Sequence, residues 1–283
     1  MRLIVSSDQD EASKNILSRM LEKGDGWEEI DEFQNNPVYK NGNDHMVMVE
    51  NHHIYCDDLD EEVQDTLNIE FDELVFISRH SSKAGVDSLT VHPIGNYGEA
   101  KFGGSDEKLV LCSPYKMTRA LLILKDRAEK KELDDEYEIS LEATHHGPFL
   151  KKPTYYIEIG SDSGAWTDKR AGEVIAETVM SKMVKGKVDK KEPVVVGIGG
   201  GHYAPRFSQL ALRRKVSIGH MVPDWGLKYL TRESFGELVK KTPDLDHVYF
   251  DRSSTSGKER ERVRSWAQEY DLSVARADHF EER

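Results

Sequence analysis

The chain lacks much of what would fix its class quickly. Among 283 residues there are two cysteines, Cys56 and Cys112, far apart in sequence. That excludes a disulfide framework and a cysteine-based zinc knuckle, and makes a reducing cytoplasm the expected location. No apolar run approaches the roughly 20 residues of a membrane-spanning helix. The first residues, Met1-Arg-Leu-Ile-Val-Ser6, are too soon polar for a signal peptide and read as a first strand. Positive charge is in deficit, with 39 Lys and Arg against 52 Asp and Glu and a net charge of -13. Taken alone, this opposes a nucleic-acid partner, because phosphates need cations. Net charge, however, reports on solubility and non-specific association, not on a local patch. Three catalytic signatures are missing as well. No Gly-Lys-Ser/Thr follows the glycine run at Gly199–Gly201, there is no His-Glu-x-x-His, and none of Ser78, Ser81, Ser82, Ser161 or Ser163 stands in a Gly-x-Ser-x-Gly elbow.

What is present reads as a globular α/β protein. Hydrophobic residues make up 37% and the mean hydropathy is -0.64. Leu3–Ser6 reads as a strand and is followed by a helix capped at Ser7 or Asp8 that runs to Lys23, with Ala12, Ile16, Leu17 and Met20 at helical spacing. Met46–Val49, Ile54–Cys56, Leu74–Ser78 and Leu89–Val91 read as strands, and Met117–Lys131 as a helix. Ile139–Ala143, Tyr155–Ile159 and Val194–Ile198 are short apolar runs of the buried-sheet kind. A helix over Asp168–Met183 between the last two predicts a largely parallel sheet. Phe207–Leu212 reads as a short helix, Ser217–His220, Val248–Asp251 and Ser273–Arg276 as later strands, and Ser256 with Glu259 as a capping box. With no repeat or linker composition, the expected architecture is one three-layer α/β/α domain over residues 1–283, with a mostly parallel or mixed central sheet.

Chemistry concentrates where apolar runs end in Gly-punctuated loops: Glu142-Ala-Thr-His-His-Gly-Pro148, Glu158-Ile-Gly-Ser-Asp162 and Gly197-Ile-Gly-Gly-Gly-His202. In open α/β sheets, ligands bind beyond the carboxyl ends of the strands. Each signal alone has a bland reading. Adjacent histidines on a strand point to opposite faces, so His145 and His146 share a pocket only if a turn rotates them. Gly199, Gly200 and Gly201 suit close approach to a ligand or an oxyanion, but a tight packing turn needs glycine too. His80 and Lys83 in Ser78–Lys83, and His92 before Pro93, would singly pass for polar loop residues. Trp166 and Trp225 fit turn anchoring as well as base stacking, and the Glu/Arg alternation of Lys258–Arg264 reads as a solvated helix face. Together the loops favour a catalytic inventory. His145, His146, His202 and Glu142 are the catalytic candidates, and Gly199–Gly201, His80 and Lys83 the oxyanion or substrate candidates. A metal site would be assembled across loops from His92, Glu158 and Asp162. Lys151, Lys152, Arg206, Arg213 and Arg214 lie near the histidine loops in sequence. They form an expected basic rim, whereas the acidic run through Asp57–Glu62 and Asp72-Glu73 lies elsewhere in sequence.

Taken together, Ser78-Arg-His-Ser-Ser-Lys83, Val91-His-Pro-Ile-Gly-Asn96, Ala143-Thr-His-His-Gly-Pro148, Glu158-Ile-Gly-Ser-Asp162 and Gly199-Gly-Gly-His-Tyr-Ala-Pro205 resemble the archaeal and plant type of D-aminoacyl-tRNA deacylase. The similarity runs from the first strand to at least Gly219-His-Met-Val-Pro-Asp224. The resemblance implies hydrolysis of the ester between a D-amino acid and the tRNA 3′-terminal ribose. It also implies dependence on zinc and a fold related to nucleoside phosphorylases and peptidyl-tRNA hydrolases. A monomer acting on D-aminoacyl-tRNA, with no membrane association, is the expected form. A nucleosidase or nucleoside phosphorylase on the same fold is the enzymatic alternative, marked by phosphate-dependent release of a base. A metal- or nucleotide-binding module, marked by binding without turnover, is the non-enzymatic one.

Overall fold

A computed structural model describes residues 1–83, 85–186 and 190–283. In chain order its elements are β1 (Arg2–Ser7), α1 (Glu11–Lys23), β2 (Glu28–Phe33), β3 (Asn36–Asn41), β4 (Asp44–Val49), α2 (Leu59–Leu67), β5 (Glu73–Arg79), β6 (Ser88–His92), α3 (Pro114–Lys130), β7 (Glu138–Leu141), β8 (Thr154–Gly160), α4 (Ser163–Thr167), α5 (Lys169–Met180), α6 (Lys182–Lys185), β9 (Val194–Ile198), α7 (Pro205–Arg213), β10 (Ser217–Val222), α8 (Arg232–Lys240), β11 (Leu245–Phe250), α9 (Gly257–Glu269) and β12 (Ser273–Ala275). Among the described residues, no helix is long and apolar enough to cross a membrane.

The strands divide between two sheets. The larger has eight strands in the order β2-β3-β4-β1-β5-β8-β6-β7, and the smaller has four in the order β10-β9-β11-β12. The smaller sheet is parallel throughout. The larger is mixed: β1 runs parallel to β4 and β5, and β8 parallel to β5, while β6 is antiparallel to β8. Strands β1, β8 and β9 are buried along their whole length, as their apolar runs require. The expected α/β class therefore holds. The helix read over Asp168–Met183 is divided at Ser181 into α5 and α6 and preceded by the short α4, and it joins strands of different sheets, not neighbours in one. One apolar core nevertheless spans both sheets, with Ile4, Val75 and Ile157 of the larger in the same cluster as Val195, Ile218 and Tyr249 of the smaller.

Local capping corrects two boundaries. Helix α1 begins at Glu11 because Asp10, not Ser7 or Asp8, accepts the Ser13 N–H. Ile54–Cys56 is not a strand; His53–Tyr55 forms a 3₁₀ turn. The Ser256/Glu259 capping box is present, each side chain accepting the other residue's N–H.

The two sheets are fastened together just beyond β7. Ala143 N–H donates to the His202 carbonyl at 2.8 Å, Thr144 N–H to the Met221 carbonyl at 3.0 Å, and Leu141 N–H to Ser208 Oγ at 2.8 Å. Buried His220 adds a tie, with Nε2 donating to the Val110 carbonyl at 2.9 Å and Nδ1 facing Thr144 Oγ1 at 3.1 Å. These bonds hold the His145-His146 turn against the loop that carries His202.

Candidate active site and metal centre

Strand register aims the first carboxylate. Glu158 on β8 is paired with Ser78 on one side and Thr90 on the other, so its side chain emerges between β5 and β6. His92 ends β6, and His80 follows β5, held by its N–H to the Ile159 carbonyl at 2.8 Å. Glu142, just past β7, donates its N–H to the Val91 carbonyl. The turn then does what a regular strand cannot. His146 has φ +47°, in the left-handed region, and this rotates the pair so that the two imidazoles face one space with ring centroids 4.5 Å apart. Gly147 makes the turn possible by close approach, since a Cβ there would lie 2.1 Å from Gly104 N and 2.3 Å from Gly103 C. From the smaller sheet, the loop after β9 delivers His202, whose ring lies 4.6 Å from that of His145 and 5.1 Å from that of His80.

The result is a buried cluster of two carboxylates and five imidazoles. His80 Nδ1 lies 3.4 Å from Glu142 Oε1 and 3.6 Å from Glu158 Oε2. His92 Nε2 lies 3.4 Å from Glu158 Oε2, His145 Nε2 3.6 Å from Glu142 Oε2, and His202 Nε2 2.9 Å from the same oxygen. Glu142 is 0% exposed and Glu158 2%. Yet both Glu142 oxygens, His92 Nε2 and His202 Nε2 lack a well-aligned hydrogen bond within the protein, the 2.9 Å approach of His202 Nε2 to Glu142 Oε2 included. An unsatisfied buried polar group costs about 1–3 kcal/mol, more if charged. A cation held between several such converging atoms would satisfy them. Three overlapping triads have ligand atoms within 4.8 Å of one another: His92/His145/His146, His80/Glu142/His202 and His92/Glu142/Glu158. Ligands about 2.0–2.1 Å from a shared tetrahedral ion sit roughly 3.3 Å apart, close to most of the separations here.

The outer hydrogen bonds suit the same role. Nδ1 of His92, His145 and His146 each lies 2.6–3.1 Å from a backbone carbonyl, those of Pro93, Ala143 and Gly147 respectively. A carbonyl only accepts, so each Nδ1 carries a proton. His145 and His146, held neutral by burial, present Nε2 as a lone pair, the arrangement that orients metal-binding histidines, whereas at His92 burial is outweighed by Glu158 and Glu142, which favour the protonated ring. Burial, reinforced by the neighbouring imidazoles, holds His145 well below the ordinary histidine range and brings His146 down to about 4. Burial also opposes charge on Glu158 and Glu142, but the surrounding histidines outweigh it and keep both carboxyls ionised, Glu158 most strongly. For His80 the balance runs the other way. Burial lowers it, and Glu158 with Glu142 more than compensate, up to about 8.

Two clefts meet at this cluster. One, of about 670 Å³, extends from His145, His146 and His202 past Glu158 to Asp10, His53 and Lys83. The other, of about 360 Å³, shares the same three histidines and runs between the Gly95–Phe102 loop and Trp225, Lys228 and Tyr229. Trp225 stacks on His202 at 5.9 Å, and Phe102, 64% exposed, borders both clefts.

Of the residues singled out in the sequence, His80, His92, Glu142, His145, His146, Glu158 and His202 come together, and Lys83 lies on the cleft wall. Asp162 does not join them. It is exposed and caps α4, accepting the Gly164 and Ala165 N–H groups. Two of the three glycine donors are engaged inside the protein, Gly199 N–H by the Val222 carbonyl at 2.8 Å and Gly200 N–H by Ser254 Oγ at 2.6 Å. The expected basic rim breaks apart. Lys151 pairs with Glu61, and the backbone N–H groups of Lys151 and Lys152 both donate to Asp60 Oδ2 at 2.9 Å, so the acidic run packs directly on these lysines. Arg214 binds the C-terminal tail through Glu282 and the Phe280 carbonyl, Arg213 is exposed at the end of α7, and Arg206 faces Asp251 at 3.4 Å. The sequence reading missed Tyr203, whose hydroxyl lies 3.3 Å from His80 Nε2, and Asp10, buried in the larger cleft. Tyr203 directly follows His202 and is the one such residue that proximity in sequence marks.

A family described as D-aminoacyl-tRNA deacylase matches residues 67–275. A D-aminoacyl-tRNA deacylase of Thermococcus onnurineus is 36% identical over 280 residues, covering 98% of this chain and 100% of the relative. One from Pyrococcus horikoshii is 37% identical over 286 residues, with 96% and 98% covered. A crystal structure of a conserved protein of unknown function superposes with a TM-score of 0.91 at 32% identity, covering 100% of this chain and 98% of that one.

Proposed function

The chain belongs to the D-aminoacyl-tRNA deacylase family, and from that membership we infer that it hydrolyses the ester of D-aminoacyl-tRNA, releasing the D-amino acid and free tRNA. The observation that carries the reading is the buried cluster of two carboxylates and five imidazoles at the junction of two clefts. An ester at that junction has room for the acyl group on one side and the terminal adenosine on the other. We assign the adenosine to the cleft with Trp225, Tyr229 and Phe102, because a base can stack on aromatic rings. The aminoacyl group then takes the larger cleft.

Zinc is the proposed ion, since nitrogen and carboxylate donors suit it, and its three or four protein ligands would be drawn from His80, His92, Glu142, His145, His146 and Glu158, with His202 at the edge. When bound, it supplies Lewis-acid polarisation and eases ionisation of water. The chain's own groups do the rest. Glu142 and Glu158 keep their charge in a buried space. The backbone carbonyls fix the tautomers of His92, His145 and His146. His202, whose side chain is 32% exposed and backed by Glu142, is placed to take a proton from the attacking water. That proton passes to the ribose oxygen as the acyl C–O bond breaks, and the water oxygen remains on the released carboxylate. The nucleosidase alternative is not favoured, because the relatives at 36–37% identity are named as deacylases. A cytoplasmic location follows from this substrate.

The test is deacylation of matched D- and L-aminoacyl-tRNA, with and without a chelator. Turnover of the D form that is lost to chelation and restored by zinc is expected. Equal rates on both stereoisomers, or no turnover of either, would overturn the reading.

A further inference from the structure

A third cavity opens on the smaller sheet, about 410 Å³ in volume, at the carboxyl ends of β11 and β12. Five arginines line it: Arg206 from the start of α7, Arg252 after β11, Arg260 and Arg264 one turn apart on α9, and Arg276 after β12. Their charge is largely uncompensated. Arg206 faces Asp251 at 3.4 Å and Arg264 pairs with Glu261 at 2.5 Å, while Arg260 bonds the Thr255 carbonyl and its Oγ1. Among the described residues, Arg252 and Arg276 have no ion-pair partner, and both are exposed. In a chain of net charge -13, five guanidiniums converging on one cavity is a built exception. Guanidiniums present forked donors that match phosphate oxygens.

The cavity is tied to the reaction centre by one loop. Phe250 is in register with Ile198 at the ends of β11 and β9, and Gly200 N–H donates to Ser254 Oγ, fastening the two following loops together. His202 lies two residues beyond Gly200, and Arg206 four beyond His202. Resting on the deacylase reading, we propose that the arginine cavity binds backbone phosphates of the tRNA substrate near its 3′ end. The strand enters over the smaller sheet while its terminal ester reaches the histidine cluster.

The experiment follows tRNA affinity against salt for the wild type, an Arg252→Ala/Arg276→Ala variant and an Arg252→Lys/Arg276→Lys variant. Each is also assayed on a D-aminoacyl-adenosine ester, which carries no phosphate. Neither arginine has a partner to lose, so both variants should fold. The alanine variant should weaken tRNA binding roughly tenfold and reduce the slope of log K against log salt by about 0.7–0.9 per lost contact. Its turnover of the adenosine ester should stay at the wild-type rate, and the lysine variant should recover most of the affinity. Unchanged affinity and slope in the alanine variant would overturn the proposal, as would loss of adenosine-ester turnover, which would place the arginines in the chemistry. Competition by inorganic phosphate as effective as that by tRNA would also overturn it, reassigning the cavity to a small anion. If the wild type binds tRNA with the expected slope yet deacylates no aminoacyl-tRNA, the deacylase reading falls and the cavity stands as a nucleic-acid site.

Discussion

The two sheets divide the work unequally. Six of the seven cluster residues come from the larger sheet: His80, His92, Glu142, His145, His146 and Glu158. The smaller sheet contributes His202, and its other notable side chains, Tyr203, Trp225 and the arginines, stand where a substrate would pass. The difference follows from what each task requires. Holding buried carboxylates against their desolvation needs partners on every side, and the adjacent strands β5, β8 and β6, none of them at an edge, provide them. Gripping a long polyanion needs an open surface with free cations, and the ends of β11 and β12 provide that.

The sharpest test of this division compares one residue from each sheet. Glu158→Gln should abolish bound metal and lower the deacylation rate by roughly 10²–10⁴, because Glu158 faces both His80 and His92. His202→Ala should lower the rate toward the bottom of that range while leaving metal content near normal, since His202 is assigned to proton transfer and not to holding the ion. Metal analysis by mass spectrometry beside single-turnover rates reads both. Equal metal loss in the two variants would erase the distinction between the sheets.

At the far end of β1, a charge cluster in the larger sheet serves stability instead. Arg2 and Asp44 pair at 2.9 Å with side chains 4% and 6% exposed, and Lys185 reaches the same carboxylate. Burial opposes Asp44's charge, but Arg2 and Lys185 outweigh it and hold its pKa below the ordinary value. Its folded pKa therefore lies below its unfolded one. The stabilisation is present above the unfolded pKa and is lost as pH falls through the folded pKa. Asp44→Asn should cost about 3–5 kcal/mol at neutral pH, the penalty for stranding a buried charge, and the gap to wild type should narrow in acid. Denaturant melts across that pH range, with kcat as a control, check this. A gap that stays constant with pH would refute it.

A smaller effect is expected at the turn that presents the histidines. In Gly147→Ala the new methyl meets backbone of Gly103 and Gly104, so the facing loop must shift, at about 1–3 kcal/mol for overpacking. Thermal melts should show the loss, with a raised KM for substrate because that loop walls the aromatic cleft. A melting temperature and KM equal to wild type would show that the close approach is dispensable.

Much of the chemistry was legible in sequence because the histidines and carboxylates sit next to glycines at the ends of apolar runs. The grouping of His145 with His146 was not, since only the left-handed φ of His146 lets adjacent residues share a face. Asp162 has the right chemistry and the right neighbourhood, but the start of α4 takes its carboxylate as a cap. The hairpin of β2 and β3 escaped notice because β2 is exposed along most of its length and carries no apolar alternation. The arginine cavity was hidden for a different reason. Arg260 and Arg264 looked like a solvated helix face, and only the return of the chain through Arg252 and Arg276 makes that face one wall of a cavity.

The smallest expected effect falls where sequence proximity misled. Lys151 and Lys152 come soon after the histidine turn and carry the same charge as the cavity arginines, yet their surroundings are opposite. The carboxylate of Asp60, 1% exposed, accepts both of their backbone N–H groups, Glu61 takes the Lys151 ammonium, and Lys152 lies over the Phe71 ring at 5.4 Å. The acidic residues are there because helix α2 starts with them, at the end where its dipole favours negative charge. A polyanion approaching these lysines meets Asp57, Asp58 and Glu61 as well. Lys151→Ala/Lys152→Ala should therefore leave tRNA affinity and its salt slope at wild-type values and change stability little, as expected of an exposed ion pair. Run beside the Arg252/Arg276 variant, it separates cations that are free from cations already paired. A slope reduced by about 0.7–0.9 per lysine would move the tRNA path to the larger sheet and undo the division of labour.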